Sequence, residues 1–121
     1  LGQCVKKAAA KEATGERSLS AYVWGFDAKV SGPDLVHHNV FFADEPNSEF
    51  YDIKQGKMPI DPSIYICAQD RGKNAPYPNT ERVEIILNAP PVSKRKDTAE
   101  DYEKCKEITF KRLEMFGLNF Q

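Results

Sequence analysis

His37 and His38 are adjacent, and they are the two histidines of a 121-residue chain. Imidazole titrates near neutrality, shuttles protons and binds metals, so the pair is the first place to look for chemistry. Its spacing argues against a joint task. On a strand, consecutive side chains point to opposite faces, so His37 and His38 diverge and cannot chelate one ion. No Asp, Glu or Cys cluster joins them. Cys4, Cys67 and Cys105 stand far apart and form no Cys-x-x-Cys pair, so no metal site is expected and reduced thiols of a cytosolic protein are the simplest account. The plain expectation is one histidine packed or hydrogen-bonded beside a turn and the other solvated.

Three other groupings invite a chemical reading. Asp70 and Arg71 follow a strand and open a loop; an acid beside a base more often makes a surface ion pair or fixes a turn than catalyses. Glu49 and Asp52 share one helical turn. Paired carboxylates can do acid–base work, but on a short exposed helix they are expected to be solvated. Ser18, Ser20 and Ser31 have no nucleophile-elbow context, and Cys67, in mid-strand, reads as a small buried hydrophobe. No catalytic constellation is present.

The elements that must position these groups are legible from periodicity. Cys4 to Ala13 is rich in Ala, Lys and Glu and is expected to be helical. Strands are expected over 19–28, 35–42, 64–69 and 82–88, each alternating two faces. In the first, Tyr22, Trp24 and Phe26 share one side. A short helix over 46–53 has a proline in its first turn. The last helix, 99–116, is capped by Asp97 or Thr98, with Glu100 and Asp101 in its first turn and Gly117 as its stop. Leu113 and Phe116 are expected on its buried stripe. Strands in the middle and helices at the ends make an α+β domain. Its mainly antiparallel four-stranded sheet carries the helices on one face.

Composition narrows the function classes. Seventeen basic residues against eighteen acidic ones give no net attraction to nucleic acid. The run Lys94-Arg95-Lys96 is answered by Asp97, Glu100 and Asp101, so a solvated loop is expected, with contact to a membrane surface as the alternative. No apolar run approaches the ~20 residues of a spanning helix.

The stretch from Ser31 to Arg71 is similar in order and spacing to the central part of the phytoene desaturase family, the flavin-dependent carotenoid desaturases and isomerases. The matching pieces are Pro-Asp-Leu-x-His-His (Pro33 to His38), Glu-Phe-x-Asp-Ile (Glu49 to Ile53), Pro-x-Asp-Pro-Ser-Ile-Tyr (Pro59 to Tyr65) and a closing strand ending Asn-Ala-Pro (Asn88 to Pro90). The resemblance runs from about Leu19 to the C-terminus. It implies the substrate-side domain of a flavin amine-oxidase-like two-domain enzyme. FAD is the implied cofactor of the parent, and a carotenoid polyene its substrate. The variants Cys-Ala-Gln-Asp-Arg and Asn-Ala-Pro-Pro look closer to desaturases of modified acyclic carotenoids.

The flavin itself is not expected on this chain. Gly2, Gly15, Gly25, Gly32, Gly56, Gly72 and Gly117 never form the Gly-x-Gly-x-x-Gly turn that cradles a pyrophosphate. The sequence also begins at Leu1 without a methionine. It is therefore read as one domain excised from a longer enzyme, inactive alone and without bound FAD. The parent is expected in the cytoplasm or peripherally at the cytoplasmic membrane face.

Several strands are apolar on both faces, so a second face must be covered, either by the N-terminal helix or by a substrate. A polyene offers no polar handle, so its site must be an apolar cleft, stabilised by roughly 25 cal/mol per Å² removed from water. Under the resemblance the substrate-facing candidates are Tyr22, Trp24, Phe26, His37 and His38, with no catalytic residue. An uncovered apolar face would also serve as a homodimer surface. The rival reading is a small stand-alone α+β module that binds an apolar ligand or a partner chain.

Overall fold

The computed structural model describes residues 17–72, 76–95 and 98–121. The helix expected over Cys4 to Ala13 lies outside them, as do Cys4, Lys96 and Asp97. The described elements are β1 (Ser20–Ala28), β2 (Val30–Ser31), β3 (His38–Phe41), α1 (Pro46–Lys54), β4 (Ile64–Ala68), β5 (Glu81–Ala89), α2 (Ala99–Met115) and β6 (Asn119–Phe120). Strands β1, β5, β4 and β3 lie side by side in that order, and every pairing is antiparallel. The α+β architecture read from the pattern is the one observed.

Register carries the core. Tyr22, Trp24 and Phe26 on β1 stand opposite Leu87, Ile85 and Val83 on β5, which stand opposite Ile64, Ile66 and Ala68 on β4. Because side chains alternate along each strand, all nine fall on one face. Helix α2 lies across it. Tyr102 meets the Tyr22 ring edge-on at 5.1 Å and the Trp24 ring at 5.8 Å, Phe110 meets Phe26 at 5.9 Å, and Leu113 is fully buried.

Local chemistry sets the limits of α2. Thr98 is its N-cap: its hydroxyl accepts the Asp101 amide while the Asp101 carboxylate accepts the Thr98 amide, a reciprocal capping box that satisfies two orphan donors. At the other end Gly117 takes φ +79°. Its amide donates to Glu114 and that of Leu118 donates to Leu113, which is the Schellman arrangement, with Leu118 closing over Leu113. The burial expected of Phe116 is corrected. It is the C-cap and 45% exposed, lying beside the edge-strand ring of Phe41 at 5.0 Å with the Arg112 guanidinium over it at 5.7 Å. The turn then returns the chain into β6, which pairs with β2. Two residues per strand are too few to show a period, so this pairing was not legible in the sequence.

Strand β3 is shorter than its pattern suggests. The Asn39 side chain accepts the Val36 amide at 2.9 Å and donates to the Val36 carbonyl at 2.8 Å. That local ring satisfies the Val36 backbone before a neighbouring strand can, so the chain bends at His37, whose carbonyl is the first to accept from β4, at the Ala68 amide, and β3 starts at His38.

Candidate functional site

The sheet face away from α2 is exposed in part, and α1 meets one end of it, where Glu49 accepts from Asn88. Across it run two rows in register. One is Val23, Ile86, Tyr65 and Val40; the next is Gly25, Glu84, Cys67 and His38. Val23 and Val40 are each 49% exposed, and Ile86 and Tyr65 are half-buried. The first row is a continuous apolar strip from edge to edge; the second carries the chemistry.

His37 is not on the strand but in the bend before it, and this corrects the expectation that the two histidines diverge. The bend swings both rings to one side, centroids 4.3 Å apart and nearly perpendicular. His37 Nδ1 lies 3.1 Å from the Arg71 carbonyl oxygen. A carbonyl only accepts, so Nδ1 carries a proton and donates. Nε2 faces Cys67 Sγ at 3.7 Å. The absence of a cysteine beside the histidines is thus also corrected: β4 brings Cys67 directly opposite His38. His38 Nδ1 is 2.6 Å from the Tyr65 hydroxyl. Burial, then the neighbouring Cys67 thiol and the Glu84 carboxylate, push the Tyr65 pKa above its ordinary value, so the phenol stays neutral at physiological pH. Gly72 holds the bend from behind. It sits at φ +78°, and a Cβ there would stand 3.1 Å from His37 Cβ.

The other candidates sit elsewhere. Tyr22 and Trp24 are buried beneath α2 and Phe26 packs against Phe110 and Phe120, so the aromatic row faces the helix, not the open side. Asp70 and Arg71 do not pair with each other. Asp70 binds Arg82, while Arg71 reaches Glu81 through two bonds of 2.6 and 2.9 Å. Glu49, expected in solvent, is 1% exposed and accepts from Asn88 Nδ2 at 3.3 Å. The reason is helical spacing: Glu49 and Ile53 are four apart and share the inward face of α1.

Neither described helix offers a free N-terminus to the phosphates of a dinucleotide. The N-terminus of α2 is already occupied by the Asp101 carboxylate, and α1 starts behind Asp44 and Glu45, which repel an anion. The glycines at positive φ serve turns. A Cβ on Gly32 would strike the Gly117 carbonyl oxygen at 2.1 Å, and one on Gly56 the Lys94 carbonyl oxygen at 2.6 Å, so these backbones close on the chain itself.

No family model matches the chain. Curated relatives do. The chain is 48% identical over 120 residues, 99% of its length, to the hydroxyneurosporene desaturase of Cereibacter sphaeroides. It is 43% identical over 120 residues to the enzyme of the same name from Rhodobacter capsulatus. Over 99% of its length the chain matches a segment of carotenoid desaturases. Its match extends to a 4,4'-diaponeurosporene oxygenase of Staphylococcus aureus, 28% identical over 105 residues and 85% of this chain, so desaturases and oxygenases of carotenoids share this segment. The chain spans about a quarter of the length of the two Hydroxyneurosporene desaturases, 24% of each. No described helix is long and apolar enough to cross a membrane.

Proposed function

We propose that this chain supplies the substrate-side sheet of a carotenoid desaturase acting on a modified acyclic carotenoid, and that its open face seats the polyene. The observation that supports this reading is the strip Val23, Ile86, Tyr65 and Val40, apolar from one sheet edge to the other, with Val23 and Val40 each 49% exposed at its ends. An elongated hydrocarbon binds by area removed from water, so a flat apolar strip is a suitable floor. His37 and His38 flank that floor in this reading. Tyr22, Trp24 and Phe26 stiffen it from beneath, a change of role imposed by their burial under α2. The FAD that the family resemblance implies belongs to segments of the parent outside this chain. The residues here orient the substrate and exclude water from it. Water cannot dissolve such a substrate, so the parent is expected to meet it at a membrane surface.

The test is made in a full-length desaturase carrying this segment. Val23→Asp and Val40→Asp each place a carboxylate against the polyene. Turnover should fall at least about tenfold, because tenfold corresponds to only ~1.4 kcal/mol and an unpaired charge on an apolar contact costs more. Flavin content should be unchanged. Met115→Asp, on a side chain 86% exposed at the end of α2, should leave turnover intact. Wild-type turnover in both strip variants would sink the open-face reading.

A further inference from the structure

We propose that His37, His38 and Cys67 form a binding site for a single divalent cation of zinc type. The proposal stands on the side-chain cluster and does not depend on the seating of a polyene. Two imidazoles and a thiol are the ligand types that borderline and soft metals select over carboxylates and water. One ligand atom from each of the three residues lies within 4.8 Å of the others. A tetrahedral zinc site with bonds of about 2.0–2.1 Å to nitrogen and 2.3 Å to sulfur has a nitrogen–sulfur edge of about 3.6 Å. His37 Nε2 and Cys67 Sγ are already 3.7 Å apart. That edge of the coordination polyhedron therefore exists before any ion arrives, and a rotation of the exposed His38 ring closes the rest.

The outer contacts also suit a metal. A ligating histidine is held in place by a partner on its other ring nitrogen. His37 Nδ1 has the Arg71 carbonyl at 3.1 Å, so Nε2 is the nitrogen left for the ion; His38, whose Nδ1 meets the Tyr65 hydroxyl at 2.6 Å, gives up that contact as its ring turns toward the ion. Arg71 is itself locked by Glu81, and Gly72 packs against His37, which makes the cluster rigid on one side. Binding displaces the Cys67 thiol proton to solvent. The thiolate and the Glu84 carboxylate, opposite Cys67 in register, then balance the two positive charges. Three protein ligands leave one coordination position open, as in zinc sites that bind water or a substrate oxygen.

Cobalt(II) reports such a site through a thiolate-to-metal charge-transfer band. The experiment uses the 121-residue chain with Cys4 and Cys105 replaced by serine, reduced by a phosphine, and titrated with Co²⁺ and then Zn²⁺. The expected result is a band saturating at one Co²⁺ per chain and abolished by one equivalent of Zn²⁺. Cys67→Ser should remove it. His38→Gln, at an exposed position that folding does not need, should weaken Co²⁺ binding at least about tenfold. Far-ultraviolet circular dichroism establishes that each variant is folded. A folded chain without the band at excess Co²⁺ overturns the proposal, as does a band that survives Cys67→Ser or is indifferent to His38→Gln.

Discussion

Arg71→Ala is expected to destabilise the fold by about 3–5 kcal/mol, the cost of breaking a buried ion pair from one side. Arg71 is 7% exposed and Glu81 2%. The guanidinium meets both Glu81 oxygens in fork geometry, and its third nitrogen donates to the Leu35 carbonyl at 3.0 Å and to Asp34 at 2.9 Å. The Tyr77 ring covers it at 4.4 Å. One side chain thus ties the loop before β3 to the start of β5. Removing it strands the Glu81 carboxylate in the interior with its partner gone. The Asp34 contact adds little, because that carboxylate is 93% exposed and screened by water. The cost is in the stranded charge, so Arg71→Met combined with Glu81→Leu should recover most of it; an apolar pair of similar volume is often as stable as the ions. Urea unfolding of the two variants measures this. A single-variant cost below about 1 kcal/mol, or a double variant no better than the single, would show that the pair is effectively solvated. Because the Arg71 side chain, held by Glu81, fixes the backbone whose carbonyl meets His37, the single variant should also weaken Co²⁺ binding, whereas Arg82→Ala, on the Asp70 pair, should not.

Leu113→Ala should cost about 2–5 kcal/mol, the range for truncating a fully buried leucine when its surroundings relax only in part. Leu113 is fully buried, as are its neighbours Leu118 and Thr109. Its carbonyl receives the Leu118 amide at 3.0 Å, so the side chain fills the core while the backbone anchors the turn into β6. The damage is expected to spread in a defined direction. Lys29 and Gln121 exchange two backbone hydrogen bonds of 2.7 and 3.1 Å beside the β2–β6 pair, and these should open together in hydrogen exchange. The amides of β4 should stay protected up to the global limit. Met115→Ala, two residues on, should change stability by no more than about 0.5 kcal/mol, as an exposed surface substitution does. If Leu113→Ala proved equally mild, α2 would not be fixed to the sheet as the packing implies.

Much of the fold was readable because it is set by neighbours in the chain. Period-two alternation placed the four main strands, since a strand sends successive side chains to opposite faces whatever it pairs with. The N-cap candidates Asp97 and Thr98, and Gly117, marked the ends of α2 because caps satisfy backbone groups within a few residues of themselves. The family resemblance was legible in the same way, from the order of short motifs. What the sequence left open was every relation between distant residues. It gave Tyr22, Trp24 and Phe26 a common side but not which side α2 would cover. It set Asp70 beside Arg71, yet each pairs with β5, because neighbours on a turn point apart while residues across a hairpin converge. It placed Cys67 thirty residues from His37. Only the β3–β4 register, set by which face each strand must bury, brings that thiol to the histidines. Only the Asn39 ring that bends the chain at His37 turns two adjacent imidazoles to the same side. Local backbone preference fixed the elements, and strand order and burial decided which of their functional groups meet.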